Sequence, residues 1–121
     1  MIAQALWYYS GTISTMDTDL PIGVLDSGIG GLTVVKEIKK FLPLENIIYV
    51  GDTLRVPYGN RSQSEITSFA MQLTTFLLKR KVKALVIACN TIDATCAEEI
   101  VRLTTIPRTR CYFSDYSRSN C

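Results

Sequence analysis

Through the middle of the chain, short unbroken apolar runs take turns with longer amphipathic stretches. Pro21 to Asp26 contains the apolar run Ile-Gly-Val-Leu, stops at a polar Asp26-Ser27-Gly28 turn, and reads as a buried strand. From about Gly31 to Phe41 the apolar positions Leu32, Val35, Ile38 and Leu42 keep near-helical spacing. Lys36, Glu37, Lys39 and Lys40 fill the other face, and Pro43 closes the helix. Ile47 to Val50 is a second strand-like run ending at Gly51-Asp52-Thr53, and Val56-Pro57-Tyr58-Gly59-Asn60 has the residues of a loop. Ser62 and Glu65 then form a Ser-x-x-Glu capping box. Ile66, Phe69, Ala70, Leu73, Phe76 and Leu77 follow on one helical face until Lys79-Arg80-Lys81. Ala84 to Ala88 is the third apolar run, ended by Cys89, after which Asn90 or Thr91 is placed to cap a helix carrying Ala94, Ala97, Ile100 and Val101.

The order is β-α-β-α-β-α, and the strands are apolar on both faces. That combination predicts an α/β fold in which a parallel sheet is covered by helices on its two sides, a three-layer α/β/α domain. The pattern spans residues 21–107. Residues 1–20 show no sustained period and read as an N-terminal extension, non-native or without fixed structure, with Met16 an alternative start just ahead of the patterned region. Residues 108–121 are polar and aromatic where a further strand is due, and read as a tail from another reading frame.

Composition narrows the function classes. At 121 residues, 47% hydrophobic and 20% charged, the chain suits one soluble core that needs no metal or disulfide staple. No apolar run approaches the length of a membrane span, and Met1 to Tyr9 lacks a secretory-signal pattern, so a cytoplasmic protein without membrane association is expected. With no histidine, a Ser-His-Asp triad, a Cys-His pair and any His-containing zinc site are excluded within this chain. The cysteines Cys89, Cys96, Cys111 and Cys121 form no CxxC pair and fit free thiols in a reducing compartment, with no metal site. A net charge of +2 without a basic stripe argues against nucleic acid as a partner.

In an open parallel sheet, ligands bind outside the carboxyl ends of the strands. Polar residues gather at all three predicted ends: Asp26-Ser27-Gly28, Asp52-Thr53 with Pro57-Tyr58-Gly59, and Cys89-Asn90-Thr91. Cys89 is the candidate for covalent or acid-base work, because amides at the start of a following helix favour a thiolate; the alternative is a small apolar residue ending a buried strand. Asp26 is either an acid-base partner, an anchor for a substrate ammonium, or a turn residue capping the Ser27 to Gly31 loop. Asp52 carries the same ambiguity. Tyr58-Gly59 and Asn90-Thr91 offer hydroxyl, amide and backbone N–H donors to carboxylate oxygens, or serve loop packing and N-capping. Cys96, two turns down the helix from Cys89, reads as core.

Two other motif readings fit less well. Gly28-Ile-Gly-Gly-Leu-Thr33 approaches a dinucleotide fingerprint, with Asp52 near the distance for a ribose contact, but the third glycine is missing and Asp26 would sit beside the pyrophosphate. A phosphoryl-transfer aspartate lacks the second acidic residue two positions after Asp26 that would hold Mg²⁺.

Three segments carry a family resemblance: Gly23-Val-Leu-Asp-Ser-Gly-Ile-Gly-Gly-Leu-Thr33, Tyr49-Val-Gly-Asp-Thr-Leu-Arg-Val-Pro-Tyr-Gly59 and Val86-Ile-Ala-Cys-Asn-Thr91. In this order and spacing they closely resemble the N-terminal half of bacterial glutamate racemase, over about residues 21–107. The resemblance implies one Rossmann- or flavodoxin-like α/β domain of two that face each other across the site, the second being absent here. It implies cofactor-independent interconversion of L- and D-glutamate for peptidoglycan, by two cysteines acting on opposite faces of the α-carbon. Cys89 is then the N-terminal-domain cysteine, assisted by Asp26. Asp26-Ser27, Tyr58-Gly59 and Asn90-Thr91 match the segments that hold the substrate's amino and carboxylate groups. Ile92-Asp93 departs from the small residues usual after Cys89-Asn90-Thr91, and places a carboxylate in the first helical turn. Lacking the second domain's Cys-Thr-His segment, this chain is expected to be inactive alone. The alternatives are a racemase for aspartate or a hydantoin, or a non-catalytic module that self-associates through its exposed apolar face as a homo-oligomer.

Overall fold

A computed structural model describes residues 19–106 and 108–110 of the chain. Four strands, β1 (Ile22–Asp26), β2 (Ile47–Gly51), β3 (Ala84–Ile87) and β4 (Arg108–Arg110), form one sheet in the order β2-β1-β3-β4. All three pairings are parallel, with Val24 of β1 opposite Tyr49 of β2 and Val86 of β3. The connections are helical: α1 (Leu32–Phe41), α2 (Gln63–Lys79) and α3 (Asn90–Leu103).

Period-two alternation sends each strand's side chains to two separate cores. Ile22 and Val24 of β1 and Val86 of β3 pack with Val34 and Ile38 of α1 on one face. Leu25, Leu85 and Ile87 pack on the other face against α2 and α3, through residues such as Ile66, Leu77, Ile92 and Ile100. The expected three-layer α/β/α arrangement is present, and β1, enclosed on both faces, is buried along its whole length.

Helix details depart from the sequence pattern where the apolar spacing admits more than one phase. The buried face of α1 is set by Val34 and Ile38, one turn apart, and Leu32 is 50% exposed. Six residues separate Leu32 from Ile38, about 1.7 turns, so the two cannot share one stripe. In α2 the capping box forms as expected, the Glu65 amide donating to Ser62 Oγ at 3.3 Å and the Ser62 amide to Glu65 Oε2 at 2.9 Å. Phe76, however, is 39% exposed beneath the Arg80 guanidinium, 3.4 Å from its ring centroid. Thr74 takes the core position, its hydroxyl donating to the Ala70 carbonyl at 2.8 Å. Cys89, rather than Asn90 or Thr91, is the N-cap of α3, and Ala94 is exposed. The helix kinks at Cys96 (φ −145°, ψ 23°), a core residue whose thiol donates to the Ile92 carbonyl at 3.3 Å.

Past residue 107 the sheet continues through Arg108–Arg110, paired with Leu85–Ile87, three residues beyond the boundary the pattern suggests. An edge strand that short shows no period in sequence. The readings of residues 1–18 as an extension and 111–121 as a tail lie outside the described residues. No described helix is long and apolar enough to cross a membrane.

Candidate active site

The strand order fixes where a ligand would sit. From β1 the chain moves to β2 on one side, then returns past β1 to place β3 on the other. Connections therefore diverge at the carboxyl ends of β1 and β3, the topological switch point at which such sheets open a crevice. Asp26 ends β1 there, and Cys89 follows β3 by two residues.

Asp26 is 4% exposed and surrounded by donors. Its Oδ1 accepts the Ser27 amide at 2.8 Å, while Oδ2 accepts the Gly31 amide at 2.7 Å and the Tyr49 hydroxyl at 2.8 Å. The turn-capping role is therefore realised. Both lone pairs of Oδ2 are committed and one of the two on Oδ1, leaving a single acceptor site for a ligand donor such as an ammonium. Gly31 makes the close approach of α1 feasible, because a Cβ there would stand 2.9 Å from the Ala88 Cβ and 3.0 Å from the Asp26 Cβ and Cγ.

The Cys89 thiol, 1% exposed, donates to Ser27 Oγ at 3.2 Å across 62 residues of sequence. If the sulfur loses its proton, the Ser27 hydroxyl can reverse and donate to it. Cys89 provides no side-chain hydrogen bond as N-cap, and the positive end of the α3 dipole favours negative charge at this position. Asn90 and Thr91, half-buried, form the start of α3 immediately after it. Asp93 in the same first turn opposes an anion there.

Tyr58 and Gly59 lie in a 3₁₀ turn, Tyr58–Asn60. The Tyr58 hydroxyl donates to Asp52 Oδ2 at 2.5 Å, and Arg55 Nε reaches the same oxygen at 2.5 Å. Arg55 also donates to Gln72 Oε1 at 3.0 Å and stacks 3.9 Å from the Phe69 ring centroid. With its one proton committed to Asp52, Tyr58 offers a ligand only its oxygen lone pairs, not the hydroxyl donor read from sequence. Asp52 is thus tied to Arg55 and Tyr58. Gly59 is exposed, with open space where a side chain would be.

Asp26, Ser27 and Cys89 are therefore joined by direct bonds, with Asn90 and Thr91 adjacent, while Tyr58 connects to Asp52. Burial, and next the hydrogen bond to a carboxylate, push both Tyr49 and Tyr58 well above the ordinary phenol range. Burial, and next the charge of Glu99, raise the Cys96 thiol to about 11. Cys96 is accordingly a neutral thiol at physiological pH and a poor second base. Sequence reasoning missed Tyr49 as the holder of Asp26 and Arg55 as the counterion of Asp52. The available signals were a hydroxyl-bearing ring in an aliphatic strand, on the face that Asp26 also occupies, and an Asp-x-x-Arg spacing in a turn.

A buried thiol and a buried carboxylate thus stand together at the switch point of a parallel α/β sheet. Comparisons with known proteins make the relationship specific. No family model matches the chain. The glutamate racemase of Neisseria meningitidis serogroup B is 60% identical over 80 residues, 66% of this chain and 30% of that protein. That of Syntrophus aciditrophicus is 53% identical over 87 residues, 72% of this chain and 32% of that protein. Among solved structures, the Francisella tularensis glutamate racemase in complex with D-glutamate superposes with a TM-score of 0.76 at 47% identity, over 78% of this chain and 36% of that one. The Thermus thermophilus glutamate racemase in complex with β-chloro-D-alanine gives 0.74 at 42% identity, over 78% and 37%. The chain is a homologue of the N-terminal portion of glutamate racemases, and it spans about 30% of the length of the curated relatives it matches.

Proposed function

We propose that this chain supplies one half of a glutamate racemase active site. Cys89 is the base and acid for one face of the α-carbon, and Asp26, Ser27, Tyr58, Gly59, Asn90 and Thr91 form the substrate cradle. The observation that carries the reading is the Cys89 thiol, 3.2 Å from Ser27 Oγ at the switch point, with Ser27 in turn held by Asp26. In the forward step the Cys89 sulfur, as thiolate, accepts the α-proton and the C–H electron pair remains on the α-carbon. A second thiol on the opposite face then donates its proton to that carbon. Among the described residues a single thiol is positioned for these transfers and performs only one of them, Cys96 being engaged in the core. The glutamate complex of the Francisella relative supports the substrate assignment. A second, fully matched acid-base group contributes roughly 10²–10⁴-fold in rate. Inversion by the 121-residue polypeptide alone is therefore expected to be undetectable.

The test joins residues 21–107 to the remaining portion of the Neisseria enzyme and follows L-glutamate by circular dichroism. The hybrid is expected to racemise, and Cys89→Ser to lower kcat by at least about 10²-fold. A hybrid whose Cys89→Ser form turns over unchanged would remove the assignment, as would racemisation by the 121-residue polypeptide unaided.

A further inference from the structure

Resting on the racemase reading, we infer that Tyr49 is a positioning residue: its hydroxyl fixes the Asp26 carboxylate and, through Ser27, the surroundings of the Cys89 sulfur. Four observations converge. The single hydroxyl proton of Tyr49 is shared between two acceptors, Asp26 Oδ2 at 2.8 Å and the Gly28 carbonyl at 2.5 Å, so one group on β2 faces both ends of the Asp26-Ser27-Gly28 turn. Between those ends, Ser27 gives its amide to Asp26 Oδ1 at 2.8 Å and receives the Cys89 thiol at 3.2 Å. The opposing residue on β2 is shaped to admit the bridge, since a Cβ on Gly51 would lie 2.1 Å from the Gly28 oxygen and 3.1 Å from the Tyr49 hydroxyl. Finally, the Tyr49 ring packs with the α1-side core, which holds the hydroxyl at that height on the sheet.

The carboxylate receives three donors, and Tyr49 is the one of them that is a side chain. Removing its hydroxyl leaves more of the Asp26 charge to act on Cys89. The ring is not needed for that effect, so Tyr49→Phe isolates it. Because the influence passes through Asp26, it disappears when Asp26 carries no charge; a double-mutant cycle reads this coupling.

The experiment uses the full 121-residue chain in four forms: wild type, Tyr49→Phe, Asp26→Asn and the double variant. Each is treated with iodoacetamide at pH 7.5, and Cys89 is distinguished from Cys96 by tandem mass spectrometry. Tyr49→Phe is expected to slow alkylation of Cys89 at least threefold, leave that of Cys96 unchanged, and have no effect in the Asp26→Asn background. An unchanged Cys89 rate in Tyr49→Phe overturns the inference, and so does a slowing that persists in Asp26→Asn, which would mean the hydroxyl acts through packing. If Cys89 in the wild type is as inert as Cys96, the racemase reading itself fails, and the inference with it. Should Tyr49→Phe not fold, the wild-type chain still decides. A slowly exchanging Tyr49 hydroxyl proton with a nuclear Overhauser contact to the Gly28–Ile29 backbone is expected by NMR, and a freely exchanging one overturns the assignment.

Discussion

Two adjacent glycines at the start of α1 should differ sharply in their response to the same substitution. Gly31 and Gly30 both lack positive φ, so alanine is not excluded from either by backbone conformation. They differ in space. At Gly31 the new methyl would lie 2.9 Å from the Ala88 Cβ and 3.0 Å from two Asp26 atoms, whereas at Gly30 it would meet nothing within 4 Å. These neighbours are the buried residue just past β3 and the buried carboxylate, so relief requires moving the α1 N-terminus away and lengthening the 2.7 Å bond from the Gly31 amide to Asp26. Overpacking of this kind costs about 1–3 kcal/mol, against about 0.4–1 kcal/mol returned by restricting the unfolded chain. Gly31→Ala should therefore lose about 1–2 kcal/mol in urea unfolding and about 4–8 °C in Tm for each kcal/mol. Gly30→Ala should stay within about 0.5 kcal/mol of wild type. Equal stability of the two variants would refute the argument that α1 is drawn against Asp26 at contact distance.

Three further outcomes follow from the same geometry. Burial raises the Cys96 thiol from 9.0 to about 11, so the folded state favours the protonated form. The stability this confers is complete below pH 9 and is lost as pH rises towards 11, by up to roughly 2–3 kcal/mol; urea titrations at pH 8 and 11 should show the loss, reduced in Cys96→Ala. Ser62→Ala removes the side chain accepting the Glu65 amide and should cost about 1 kcal/mol by the same assay. Asp52→Asn removes the charge that, after burial, holds the Tyr58 hydroxyl protonated, so an absorbance titration should show a tyrosine ionising at lower pH than in wild type.

Much of the architecture was legible because strand and helix periods differ and each run stays short. Ile22–Asp26, Ala84–Ile87 and the capped helix from Gln63 are local patterns, and local patterns survive in a linear sequence. The strand-end rule brings Asp26 and Cys89 to one edge from sequence alone, and the three motifs carry the family resemblance. What failed was phase within a pattern: Leu32 against Val34, Phe76 against Thr74, and the capping residue of α3. Those choices depend on which neighbour packs where. Partnerships across strands were equally hidden, since nothing local in Tyr49 announces a carboxylate 23 positions away, nor in Tyr58 that Asp52 claims its proton.

The 62-residue span between Ser27 and Cys89 has a consequence for synthesis and folding. Closing so long a loop is entropically costly and is rewarded only when β3 docks beside β1. Until that moment the sulfur is an ordinary cysteine on an unfolded polymer, with no hydroxyl beside it and no helix beneath it. Formation of the Cys89–Ser27 contact and the pairing of β3 with β1 are a single event, so a nascent chain does not present this sulfur beside its hydroxyl before the central strands have met.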